Sequence, residues 1–292
     1  MRQMAGKPAV IRESRQALLQ REARHRFGAV NTRLAGEAVE AGQYRIAGDE
    51  FLMCSPDGIR LHYRKGAGIT IDAPPDTDPA EIALWLGGTL RAAIASMNGL
   101  LPLHASAVAH GEAVIAFSGP SGAGKSTLVA ALEKRGFALF CDDTLVIDPD
   151  SEAPQCLPGH KRLRLWQEGL ELAAVEGFEQ VAPSYPKRFA SHAGSAIADA
   201  LPIGALVFLQ DGETLSLEPV EGAERFALLC DDHYTDLLHQ QAKGMDRAAR
   251  FGFQAGLAQK IPIFRLIRPF EAARFDDMVA TIADWIEERA QK

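Results

Sequence analysis

The residues with the most chemical content lie together, as Gly119-Pro120-Ser121-Gly122-Ala123-Gly124-Lys125-Ser126-Thr127. From Gly119 to Ser126 they read G-x-x-x-x-G-K-S, a phosphate-loop pattern. Glycines let the backbone turn tightly and bring several N–H groups up to one anion. A helix starting at the lysine adds its positive N-terminal end. Lys125 can reach the outer phosphates of a nucleotide, and Ser126 can ligate magnesium. Gly119, Ser121, Gly122, Ala123, Gly124, Lys125, Ser126 and Thr127 are therefore the candidate nucleotide-binding residues. Two further features stand at set distances from this loop. Asp142-Asp143 begins 17 positions after Lys125, and His104 lies 15 positions before Gly119.

The flanks of the loop suit the pattern. Ala113-Val114-Ile115-Ala116-Phe117 is an apolar run of strand type. Leu128, Val129 and Leu132, followed by Gly136, predict a helix over 125–135. Phe137 to Cys141 reads as another strand, ending at the aspartates. In open α/β sheets ligands sit beyond the carboxyl ends of strands. If strand 137–141 runs parallel beside the loop strand, both aspartates emerge near a bound γ-phosphate. A carboxylate there can hold magnesium or take a proton from an attacking hydroxyl. Adjacent side chains of an extended segment face opposite ways, so one aspartate is expected to enter the site more fully than the other. The alternative is a solvated strand end; the chain's two other such pairs, Asp231-Asp232 and Asp276-Asp277, sit on helix-like segments away from the loop and read as surface.

Around this centre the chain divides. Residues 8–27 predict a helix of mixed charge with sparse apolar positions. Tyr44-Arg45-Ile46, Phe51–Cys54, Ile59–Tyr63 and Ile69-Thr70-Ile71 predict short strands separated by Gly48-Asp49, Pro56-Asp57-Gly58 and Gly66. These make a small β-rich N-terminal module, which with the first helix covers residues 1–78. Ala73–Pro79 is a linker, with Asp78 as cap and Pro79 as first residue of a helix over 79–98. That helix is apolar over much of its surface, so it is expected between the two modules. The second module spans 79–292. Leu103–Glu112 predicts a strand, a turn at His110-Gly111 and entry into the loop strand. Leu163–Trp166 and Ala205–Leu209 predict strands, the latter paired with Leu215–Leu217. A helix over 233–258, a strand at Ile263–Ile267 and a helix over 271–289 close the chain.

Composition limits the partners. The chain has 292 residues, 47% of them hydrophobic, and a formal charge of −7. Residues 1–33 hold eight Lys/Arg against two acids, a net of +6, so the rest carries −13. An acidic body argues against general nucleic-acid binding. The basic start reads as a solvated helix face, with contact to an acidic partner or a membrane surface as the alternative. Cys54, Cys141, Cys156 and Cys230 form no C-x-x-C and have no histidine at zinc spacing, so they read as thiols of a reducing cytoplasm. No apolar run approaches the roughly 18 residues that would span a bilayer, and no signal peptide is visible. A GTPase would need N-K-x-D, but the asparagines are Asn31 and Asn98, neither in that setting. The L-S-G-G-Q-like signature of a transporter ATPase is also missing.

With these residues in view, the chain resembles the kinase domain of bacterial HPr serine kinase/phosphorylase. That family has a histidine before its phosphate loop and an Asp-Asp pair after the next strand, at spacings like those of His104 and Asp142. Gly159–Trp166 and Leu201–Leu209 resemble a divergent branch that includes kinases tailoring lasso peptides. The resemblance covers about residues 100–290 and is specific between 103 and 148. It implies that Asp142 is the base on a substrate serine, that His104 supports it, and that Asp143 helps to hold the metal. An imidazole beside a carboxylate can tune it near pH 7; the alternative for His104 is a buried core histidine. The family's Glu-Ile-Arg-Gly-Leu-Gly-like phosphorylase segment is replaced by the basic Gly159–Trp166, which puts phosphate-driven reversal in doubt. Arg162, Arg164, Lys187 and Arg188 read as solvated surface charges, with phosphate or acidic-substrate contacts as the alternative.

The expectation is thus an α/β P-loop kinase domain with a small β-rich N-terminal module. Its cofactors would be ATP and magnesium, with Ser126 and Asp143 on the metal. The acceptor would be a serine hydroxyl of a peptide or small protein. A small metabolite as acceptor, or a non-enzymatic ATP-sensing module, are the alternatives.

Overall fold

The computed structural model describes residues 13–41, 43–150, 152–191, 197, 199–230, 234–243 and 246–290. Helix α1 (Arg15–Glu22) is capped by the Ser14 hydroxyl, which accepts from the Ala17 N–H. It leads into β1 (His25–Phe27), β2 (Val39–Ala41), β3 (Tyr44–Ala47), β4 (Glu50–Cys54), β5 (Arg60–Arg64) and β6 (Gly68–Asp72). Among the described residues these strands form one sheet in the order β1-β6-β5-β4-β3-β2. Alternation puts Leu61, Tyr63, Ile69 and Ile71 on its buried face. Buried Glu22 accepts from the Tyr63 hydroxyl (2.7 Å) and the Gly66 N–H (2.8 Å), tying α1 to the sheet.

Asp78 caps α2 (Pro79–Trp85), accepting from the Ala80 N–H. A π-helical turn over Leu86–Leu90, kinked at Gly88 (φ −100°, ψ −105°), joins it to α3 (Arg91–Met97). Ile82, Leu90 and Ile94 pack on the N-terminal sheet in a core that also takes in Val146 and Leu157. Asn98 donates to the Tyr63 hydroxyl (2.8 Å), so helix and sheet share one buried polar network.

The second half is built on a mixed sheet. Its first elements are β7 (Leu101–Leu103), β8 (Ala105–His110), β9 (Ala113–Ser118), α4 (Lys125–Lys134), β10 (Ala138–Cys141), β11 (Leu145–Asp148) and β12 (Gln155–Leu157). Then come β13 (Arg164–Leu165), α5 (Gln167–Ala173), β14 (Gly177–Ala182), β15 (Tyr185–Ala190), β16 (Leu201–Asp211) and β17 (Ser216–Pro219). The chain finishes with α6 (Ala223–Leu229), α7 (Tyr234–Lys243), α8 (Arg247–Lys260), β18 (Ile263–Arg268), a 3-10 turn (Ala272–Arg274) and α9 (Phe275–Ala290). The large sheet runs β10-β8-β9-β16-β12-β11-β7, with β18 on β16 and β17 on β18; β13, β15 and β14 form a separate small sheet. Ile115 and Phe117 of β9 face α4 and α9, while Val114 and Ala116 face the core containing Leu257 of α8. Apolar runs covered on both faces by helices are what a central strand of an α/β sheet requires. No helix among the described residues is long and apolar enough to cross a membrane.

Several expectations change. The helix predicted over 8–27 covers only 15–22; residues 8–12 lie outside the described set. Residues 25–27 are instead a strand, held in parallel register by Ile69–Ile71. Strand 138–141 does not lie beside the loop strand. It pairs antiparallel with β8, which pairs antiparallel with β9, and two reversals restore the direction, so the aspartates still emerge at the loop end. Segment 216–219 pairs with β18 rather than with 205–209, because β18 enters parallel to β16 between them. The helix over 233–258 is divided into α7 and α8. The hairpin β14–β15 and helix α5 had no counterpart in the sequence reading. Asp276 and Asp277 are exposed at the start of α9; Asp231-Asp232 lies outside the described residues.

Candidate active site

Strand β9, the loop Gly119–Gly124 and α4 follow one another directly, so the loop caps the N-terminus of α4. Gly124 is the cap residue in a left-handed conformation (φ 80°), where a side chain would be strained. The loop does not stand alone. Buried Arg268, the last residue of β18, donates from Nη2 to the Ala123 carbonyl oxygen. In a trans peptide the carbonyl and the next N–H point opposite ways. Anchoring the Ala123 carbonyl therefore also fixes the direction of the Gly124 N–H. Nothing in the local sequence marks Arg268; only the parallel register of β18 on β16 brings it there.

Lys125 is buried, and its ammonium donates to the Gly119 (2.8 Å) and Pro120 (3.0 Å) carbonyls. Burial pushes its pKa down to about 8, against the pull of Asp143 and Asp142; Lys187 acts in the same sense as burial. Ser121 and Gly122 are exposed, Ala123 is buried, and Thr127 sits on the flank of α4 that meets Gly169 of α5.

Asp142 is 2% exposed, and both its oxygens accept hydrogen bonds. Oδ1 accepts from the Ser126 hydroxyl (2.8 Å) and the Ser106 hydroxyl (2.7 Å). Oδ2 accepts from the Arg164 N–H (3.1 Å). Ser106 escaped the sequence reading; a hydroxyl inside the small-residue run Ala105-Ser106-Ala107 was its only signal. Asp143 has φ 70°, rare for a residue other than glycine, though aspartate tolerates it better than most. That turn breaks the strand alternation expected for the pair, and both carboxylates converge on Arg164. The guanidinium Nη2 lies 2.9 Å from Asp143, and Nε lies 4.0 Å from Asp142. His104, at the break between β7 and β8, has Nδ1 3.0 Å from the Asp143 carbonyl oxygen and 3.7 Å from its carboxylate. The structure thus brings His104, Lys125, Ser126, Asp142 and Asp143 together.

Arg164 corrects the surface reading of the basic run: it is buried between the aspartates, where its charge is matched. Arg162 is exposed, pairs with Glu179 (2.5 Å) and stacks on the Phe189 ring at 3.5 Å. Lys187 lies over Trp166 and Tyr185, at 5.7 and 5.5 Å from the ring centroids. Burial alone would raise the Asp143 carboxyl, but Arg164 and His104 more than offset it, so it lies below the usual carboxylate range. It therefore stays ionised, and its charged form is lost only in acid. We expect Arg164→Gln to move the acid limb of any Asp143-dependent activity up by about one pH unit or more, since an adjacent arginine lowers a carboxylate by that much. Arg164→Lys should leave the limb nearly in place. A limb that is unchanged in Arg164→Gln would remove Arg164 from the control of Asp143. The same linkage makes the pair stabilising above the unfolded carboxylate pKa and loses that stability as pH falls through the lowered folded value.

A cavity of about 330 Å³ opens beside this cluster. Arg164 and His160 line one wall, Gly87 of the π-turn and Asp78 another, and Glu179 and Phe189 of the small sheet a third. A methyl on Gly88 would stand 3.5 Å from the Asp143 carboxylate, so the kinked turn closes directly over that residue.

The donor set fits magnesium held together with phosphates. Among the described residues no group of three or more His, Cys, Asp or Glu could hold a metal ion by itself. Magnesium commonly takes only one or two carboxylates, with substrate phosphates and waters completing its shell. Ser126 and the two aspartates supply that much.

No protein-family model matches this chain, and no curated protein does. Among solved structures, it is similar to the Hpr(Ser) kinase/phosphatase from Coxiella burnetii, with 13% identity and a TM-score of 0.32. The match covers 64% of this chain and 98% of that one. The chain is distantly similar to a kinase/phosphatase; a likeness this weak decides neither its fold nor its activity.

Proposed function

We propose that this chain is an ATP- and magnesium-dependent P-loop kinase that phosphorylates a serine hydroxyl of a peptide or small protein. The observation that carries the reading is the Asp142 carboxylate bonded to Ser126, the loop residue that would ligate magnesium. With it comes a second carboxylate, Asp143, with the His104 imidazole beside it. In this reading the loop amides and Lys125 bind the β- and γ-phosphates, and buried Arg268 keeps the loop in shape. Magnesium, when bound, would neutralise phosphate charge as the γ-phosphoryl departs.

The hydrogen bonds favour exchanging the roles that the sequence resemblance implies for the aspartates. Asp142 touches Ser126, and two hydroxyls and an amide fix its carboxylate beside the loop serine, which suits the metal side. Asp143, whose side chain is 27% exposed, lies beside His104 and under the kinked turn. It is the better placed to accept a hydrogen bond from an incoming hydroxyl. The cavity of about 330 Å³ shares Arg164 with this cluster, and in this reading it would take the residues flanking the acceptor serine, since it is large enough for part of an extended peptide. The same size also suits a small metabolite, which is the second reading. Peptide tailoring of the lasso type rests on sequence resemblance alone.

The test is transfer from γ-labelled ATP into serine-bearing peptide pools, with serine-free pools and small polyols as controls. Label on peptide serine is expected. Label only in the small-molecule fraction would move the acceptor to a metabolite. Tight ATP binding without turnover in any pool would leave an ATP sensor.

A further inference from the structure

Strand order sets a direction across the proposed nucleotide site. Counting from the loop strand β9, both catalytic carboxylates lie toward β8 and β10. The other flank is β16 and then β18, both parallel to β9, so their carboxyl ends come out on the loop side of the sheet. A nucleotide whose γ-phosphate points at Asp142 and Asp143 must lay its opposite end on that flank.

The structure there is unlike an ordinary strand end. Arg268 is 5% exposed and joins the flank to the loop through the Ala123 carbonyl. Its guanidinium carbon stands 4.9 Å from the centroid of the Phe270 ring. Phe270 itself is 66% exposed, among the most exposed large apolar side chains of the described residues. Exposed Asp211, at the end of β16, stands 3.6 Å from Arg268. One face of the phenyl ring is therefore backed by a fixed cation that also holds the phosphate loop, and an acceptor carboxylate stands beside the same guanidinium.

We infer that Phe270, backed by Arg268, is the stacking platform for the base of the bound nucleotide. Asp211 is placed to accept from ribose hydroxyls or an exocyclic amino group. This rests on the phosphate-loop reading above and adds the base subsite to it. Stacking is tolerant of base identity, because every base presents a π-face. ATP and GTP are accordingly expected to bind with similar affinity unless Asp211 discriminates.

The experiment is binding, not turnover. Calorimetry with magnesium present compares ATP, GTP and inorganic tripolyphosphate, which keeps the phosphates and has no base. Wild-type protein is expected to bind ATP more tightly than tripolyphosphate. Phe270→Ala should weaken ATP at least about fivefold, the low end of measured base–aromatic stacking. Tripolyphosphate affinity should stay unchanged, and Phe270→Trp should restore ATP. The exposure of Phe270 makes misfolding of these variants unexpected, and unchanged tripolyphosphate binding checks it. If Phe270→Ala binds ATP like wild type, the base lies elsewhere and the inference fails. It also fails if ATP and tripolyphosphate weaken equally, because the ring then only braces the loop. If wild type binds neither ligand, the phosphate-loop reading itself falls.

Discussion

Lys125→Ala is expected to abolish phosphoryl transfer, by at least about 10²–10³-fold in kcat, and to weaken ATP binding. The ammonium lies at the loop, where it donates to the Gly119 and Pro120 carbonyls. Binding should also carry a proton signature. Burial holds Lys125 near 8, so part of the population is neutral at mildly alkaline pH. Phosphate favours the charged form, so ATP binding raises that pKa and takes up a proton. The sign follows: ATP affinity falls as pH rises through about 8, and calorimetry in buffers of different ionisation enthalpy registers the uptake. Lys125→Met, which keeps the buried volume, should lose both the transfer and the proton uptake. A folded Lys125→Met protein with wild-type turnover would falsify the central claim.

The second large effect separates the aspartates. On the hydrogen bonds, Asp142→Asn should raise the magnesium requirement and weaken nucleotide binding, with partial rescue at high magnesium. Asp143→Asn should keep near-normal magnesium–ATP affinity and lose about 10²–10⁴-fold in transfer, the range of general-base assistance. His104→Ala should follow Asp143→Asn with a smaller loss in kcat and an intact fold. Exchanged phenotypes would restore the assignment implied by the sequence resemblance. Wild-type rates in both variants would reduce the pair to a structural anchor for Arg164. Because Asp142 is buried among two hydroxyls and an amide, the asparagine also tests stability, and thermal melts of each variant accompany the kinetics.

Much of the phosphate loop's surroundings could be read from the chain. The loop, its strand and its helix are contiguous, and local patterns of glycine and apolar residues carry contiguous structure. The N-terminal strands 44–72 were legible for the same reason, since each is a short alternating run between turn residues. His104 and Asp142-Asp143 could be singled out, but only by type and spacing. Their convergence depends on β8 lying between β9 and β10, and no local pattern encodes a neighbour. The roles proposed for the two aspartates also turn on one dihedral, the left-handed Asp143, which swings its carboxylate onto Arg164.

By itself, then, the sequence determined where the glycine-rich loop and its helix form and which acids and imidazole are candidates beside it, because those choices are local: glycine at positive φ, lysine at a helix start, polar residues at strand ends. The tertiary structure alone decided that Arg164 is buried rather than solvated, that Ser106 shares Asp142 with Ser126, and that Arg268 grips the loop. Each of these contacts joins residues far apart in the chain, across antiparallel and parallel strand pairings whose register is set by packing of the whole sheet. Charge and residue type say what a side chain can do; burial and register settle which partner it meets.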